Sequence, residues 1–229
     1  MTSNLERYRA SRTVALVSMA TNFSLSIAQI LVGWIGHSNA LIADGMHTLS
    51  DLLSDVLVLF GARQGAKAAD AEHPYGHARI ETAVTLALAL ILIAVGIAIA
   101  ARAALRLMST APAPTPSLLT LAVALITLAA KEGLYRYTIA VARRQRSALL
   151  SASAWHHRSD AFSSIIVAVS IAGTIAGVPF LDAVAAIGVA LMIVRMGGEL
   201  GYGAIAELID TGASVEQLRR IRAVILQVP

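Results

Sequence analysis

"DGMHTLSDLLSD" at residues 44–55 and "SAWHHRSDAFSS" at residues 153–164 share one pattern, His-x-x-Ser-Asp-x-x-Ser. The matched residues are His47, Ser50, Asp51 and Ser54 in the first copy and His156, Ser159, Asp160 and Ser163 in the second. Both copies sit inside stretches that read as membrane-spanning helices. In an α-helix, side chains four residues apart stand one above the other, so His47 and Asp51 share a face, as do His156 and Asp160. A charged group inside a span costs several kcal/mol and marks a functional site by default. Polar residues that merely hydrogen-bond between helices would explain one such pair, but two matching pairs make a poor coincidence.

The rest of the chain supports the membrane reading. Of 229 residues, 57% are hydrophobic and only 14% charged, whereas soluble domains carry about 25% charged residues. Cysteine is absent, which rules out disulfides, thiolate metal sites and cysteine nucleophiles, so any metal is held by nitrogen and oxygen. The basic N-terminus precedes a long apolar stretch without a small-residue cleavage pattern, and it reads as a retained first span. The net charge of +4 lies in loops, with no aromatic-interleaved basic patch, so no nucleic acid partner is expected.

A helix crossing the hydrocarbon core needs about 20 mostly apolar residues. This criterion predicts an all-α membrane protein with six transmembrane helices, at 13–35, 39–62, 80–108, 117–142, 147–176 and 181–198. Arg7, Arg9, Arg12, Arg63, Lys67, Arg79, Arg143, Arg144 and Arg146 fall on one side, against Arg102 and Arg106 on the other. The positive-inside rule then makes both termini cytoplasmic. Residues 1–12 form a cytoplasmic segment and 13–208 the membrane domain. The amphipathic pattern in 209–229, with Ser214 and Gln217 as a capping pair, reads as the start of a cytoplasmic C-terminal domain that the chain lacks for the most part.

With that course, the second and fifth spans run in opposite directions and occupy the middle of two three-helix halves, the mark of inverted repeats with a substrate site between them. Bringing them together would converge two imidazoles and two carboxylates, a donor set suited to zinc. Asn22, Ser26 and Gln29 form a polar stripe on the first span that either lines an aqueous path or hydrogen-bonds between helices. An intramembrane metalloenzyme would want an open metal position and a general base, as in His-Glu-x-x-His, which is missing. A haem carrier would leave Asp51 and Asp160 unexplained. A channel or metal sensor shares the same ligands and differs in proton coupling.

"ALIADGMHTLSD", "HPYGHARIE" and "AWHHRSDAFSS", in that order, resemble the cation diffusion facilitator family of divalent-metal/proton antiporters, over essentially the whole chain. The resemblance implies a non-enzymatic transporter with a transport site at His47, Asp51, His156 and Asp160. Histidine at the first position of both pairs goes with zinc in that family, with no prosthetic group. It further implies a multi-pass homodimer, here in a bacterial inner membrane, that exports the metal from the cytoplasm as protons move in. A second metal site in the cytoplasmic loop is carried onto Asp70, His73 and His77. There the two histidines flank a Pro-x-Gly turn, and Glu72 is an alternative oxygen donor.

Other polar residues are read more plainly. His37 is expected at the surface, and His157 points about 100° around the helix from His156. Asp44 is either a vestibule carboxylate or a helix-to-helix hydrogen-bond acceptor. Asp182 is expected to cap the sixth span, and the resemblance suggests a charge interlock between Arg79 and Asp210.

Overall fold

The computed structural model describes residues 4–65, 78–109, 115–145 and 147–209, together with 219, 220, 222, 223 and 225. Among them run six long α-helices: α1 (Asn4–Ile35), α2 (Asn39–Gly65), α3 (Ala78–Met108), α4 (Leu118–Gln145), α5 (Ala148–Ile175) and α6 (Leu181–Leu208). No strand occurs among the described residues. α1 and α3 to α6 each contain a stretch long and apolar enough to cross a membrane. Asp44, His47 and Asp51 interrupt the apolar run of α2.

The helix ends follow from local chemistry. Ser147 holds an extended backbone conformation, and its Oγ accepts the Leu150 N–H at 3.3 Å, which caps the start of α5. His37 takes a left-handed conformation with φ of 58° in the tight turn between α1 and α2, and Arg106 Nη1 donates to its carbonyl at 3.3 Å. The expected end of the sixth span at 198 falls short, since α6 continues to Leu208. Gly197, just before that point, is a close-packing residue: a Cβ there would lie 2.9 Å from the Ala89 carbonyl of α3. Beyond it, Glu199 accepts from Arg195 at 2.8 Å one turn back, a contact that only a continuing helix permits.

Three connections gather at one end of the bundle. The Ser117 N–H donates to the Gly36 carbonyl at 3.1 Å, and Ser38 Oγ donates to Asp182 at 2.5 Å. Successive helices therefore run up and down, and α2 and α5 have opposite directions. The core is built from small residues, Ala40, Ala43, Ala124, Ala168, Ala183 and Ala186 among them, with Leu41, Val167, Ile171 and Ile193 filling the gaps. Helices in lipid gain no hydrophobic drive from association, so this smallness lets the backbones approach and gain dispersion contacts. Large apolar side chains instead face outward, for example Leu90, Ile91, Leu125, Ile126, Ile166 and Val169. Such a periphery suits hydrocarbon rather than water.

Candidate metal centre

Two helices present the repeated motif. On α2, His47 Nε2 lies 3.8 Å from Asp51 Oδ2, and on α5, His156 Nε2 lies 3.7 Å from Asp160 Oδ2, as the i, i+4 spacing dictates. The packing of α2 against α5 brings His47, Asp51 and Asp160 together, with one ligand atom of each within 4.8 Å of the others. These side chains are 8%, 11% and 11% exposed. His47 Nδ1 is buried without a hydrogen-bond partner. A nitrogen and two carboxylate oxygens converging inside an apolar bundle are poorly stable unless a cation or protons balance them.

His156 stands apart from this trio. Its side chain is 57% exposed while it stays beside Asp160, so three of the four expected ligands converge and the fourth lies at the margin. Its neighbour His157 turns into the bundle, as the 100° separation requires, and there its Nε2 lies 3.1 Å from Ser18 Oγ on α1. Asp70, His73 and His77, with Glu72, lie outside the described residues, as does Asp210. Arg79 reaches the end of α6, where Nη1 donates to the Leu208 carbonyl at 2.9 Å.

Above the trio, toward the α1–α2 turn, lies a buried polar network. Asp44, 1% exposed, accepts from the Gln29 amide on α1 and from Ser164 Oγ on α5 at 3.0 Å. Lys131 on α4, 3% exposed, lies 3.3 Å from Asp44 Oδ1 and donates to Ser164 Oγ at 2.9 Å. Asp44 is thus a hydrogen-bond acceptor joining four helices, the second of its two sequence readings, and Gln29 is interhelical rather than solvent-lining. Lys131 escaped the reading of the sequence. Its signal is the same as that of the aspartates, a charge midway along an apolar span, here followed directly by Glu132.

Asp182 corrects another expectation. It does not cap its own helix, whose N-cap Phe180 makes no side-chain hydrogen bond. Its carboxylate accepts from Ser38 Oγ at 2.5 Å, Asn39 N–H at 2.8 Å and Ala40 N–H at 3.4 Å, capping the start of α2 from the neighbouring chain segment.

Comparison with known proteins shows the family. Residues 15–209 match the family described as the cation efflux transmembrane domain. Metal tolerance protein C1 of Arabidopsis thaliana is 38% identical over 226 residues, which covers 93% of this chain and 48% of that protein. Manganese efflux system protein MneP of Bacillus subtilis is 31% identical, covering 97% of this chain and 76% of its own length. Magnetosome protein MamM of Magnetospirillum gryphiswaldense is 30% identical, with coverages of 96% and 69%. The chain therefore spans about half the length of the plant relative. With most of its length matched and its motif helices packed together in an all-α membrane bundle, the chain belongs to the cation efflux family, the cation diffusion facilitators.

Proposed function

We propose that this protein is a secondary transporter that exports a divalent cation from the cytoplasm in exchange for protons, with zinc as its cargo. The observation that carries the reading is the enclosed His47, Asp51 and Asp160 group, contributed by two oppositely directed helices. His156 is its fourth ligand in this proposal. Two carboxylates match the charge of a divalent ion, and the mixed nitrogen and oxygen donors suit zinc. Metal binding needs neutral imidazole and ionised carboxylate, so a loading ion displaces protons and protons compete for the emptied site. Rocking of the two halves about that site would then exchange one for the other across the membrane.

The further parts of the reading have their own supports. A second metal position at Asp70, His73 and His77 rests on the histidines flanking the Pro-x-Gly turn. The homodimer, the bacterial inner membrane and the division into 1–12, 13–208 and 209–229 rest on the family resemblance and the loop charges. The name of the Bacillus relative makes manganese the competing cargo.

The test is metal uptake into proteoliposomes containing a pH-sensitive dye, with zinc and manganese offered separately. Zinc entry coupled to proton exit is expected, and Asp51→Ala and Asp160→Ala should each reduce it more than tenfold (~10–100-fold for weakened metal sites) with expression unchanged. Normal flux in both variants would refute the site. Flux indifferent to a pH gradient would make the protein a channel, binding without flux a sensor, and preferred manganese entry would replace the cargo.

A further inference from the structure

Lys131 is the one described cation enclosed in the middle of the bundle, and the transport reading gives it no task. Its surroundings are those of a bound ion. The ammonium lies 2.9 Å from Ser164 Oγ and 3.3 Å from an Asp44 carboxylate oxygen, and Ser164 Oγ itself is 3.0 Å from the other oxygen of Asp44. Gln29, fully buried, directs its amide NH2 at Asp44 and leaves its carbonyl oxygen enclosed with no partner. Carboxylate and hydroxyl oxygens, the two kinds that contact the ammonium, are also donors that hold hard divalent cations such as manganese, magnesium or calcium.

Asp44 also precedes His47 by three residues on α2, so it occupies the motif face one turn toward the α1–α2 turn. Without Lys131, three carboxylates would line that face and its surroundings, and the charge of the region would exceed what one divalent ion balances. With Lys131 the Asp44 carboxylate is neutralised within the protein, and Asp51 and Asp160 alone match the ion.

We propose that the Lys131 ammonium is a tethered cation filling an oxygen-lined cation position around Asp44, which confines metal binding within the bundle to the His47, Asp51 and Asp160 position. Lys131 is then a specificity-determining residue: it withholds a carboxylate that would otherwise bind metal. The proposal rests on the transport reading for the identity of the neighbouring site, and the experiment separates the two.

The full chain, purified in detergent, is equilibrated with Mn2+ by dialysis and the bound ions per chain are counted. Lys131→Gln keeps a hydrogen-bond donor and removes the charge, and Lys131→Met removes both. Each should bind one more Mn2+ than the parent, and adding Asp44→Asn to either should return the count to the parent value. An unchanged count in folded Lys131→Gln overturns the proposal, as does a gain that survives Asp44→Asn. Should the charge-deleted chains resist purification, their unfolding temperature is read in membranes. Mn2+ should then raise it more for Lys131→Gln than for the parent, and equal shifts overturn the proposal. Asp51→Ala in the parent background, dialysed against Zn2+ instead, reports on the neighbouring site alone: a Zn2+ count that does not fall there sinks the transport-site reading and leaves the Lys131 comparison intact.

Discussion

Single residues in this bundle are held by charge placed where water is absent. Asp182 shows the energetic consequence most directly, because one buried carboxylate satisfies a hydroxyl and two backbone N–H groups at the start of α2. Its replacement by Ala should lower stability by about 1–3 kcal/mol, the cost of stranding buried donors. Asp182→Asn, which keeps one acceptor oxygen, should cost less. Thermal unfolding in micelles, followed by the fluorescence of Trp34 and Trp155, measures both; equal melting temperatures for all three chains would mean that the cap carries no weight. The same logic explains which residues were legible. His47, Asp51, His156 and Asp160 announced themselves through repetition, whereas Lys131 occurs once and its partner Asp44 lies 87 residues away in the chain.

At the scale of helices, close approach depends on where a side chain is missing. A Cβ on Gly197 would stand 2.9 Å from Ala89 O and from Ile93 Cγ1, so α3 and α6 touch there backbone to backbone. Gly197→Val should push the pair apart and cost about 1–3 kcal/mol, the usual penalty of overpacking. A Cβ on Gly203, in the same helix, would meet nothing within 4 Å. Gly203→Ala should be neutral or stabilise by up to about 1 kcal/mol through helix propensity. Melting curves of the two variants side by side check this, and a loss at 203 matching that at 197 would show that the contact made at 197 is not what sets the two glycines apart. The expected boundary at 198 was short because the sequence turns polar at Glu199, and the helix carries that charge onward paired with Arg195 one turn back.

For the whole molecule, the decisive quantity is orientation, since it sets the direction of export. The chain has no cysteine, so single cysteines are unambiguous reporters. Phe180 lies exposed at the end that holds the α1–α2 turn, and Arg144 lies exposed near the end of α4 at the opposite end. In intact cells a membrane-impermeant maleimide should label Phe180→Cys and spare Arg144→Cys, and inside-out vesicles should reverse the pattern. The reverse result in cells would invert the topology and with it the direction of metal movement. By itself the sequence determined that this is an all-α membrane protein with six long helices and the motif pairs on two of them, because length, apolarity and i, i+4 spacing are local properties; the family followed from the resemblance of its three motifs. Only the tertiary structure decided that Asp160 joins His47 and Asp51 while His156 stays at the margin, that Asp182 caps a helix other than its own, and that Lys131 occupies Asp44. Those pairings join residues far apart in the chain, and they depend on which neighbouring helix brings a partner within reach of a buried charge or donor.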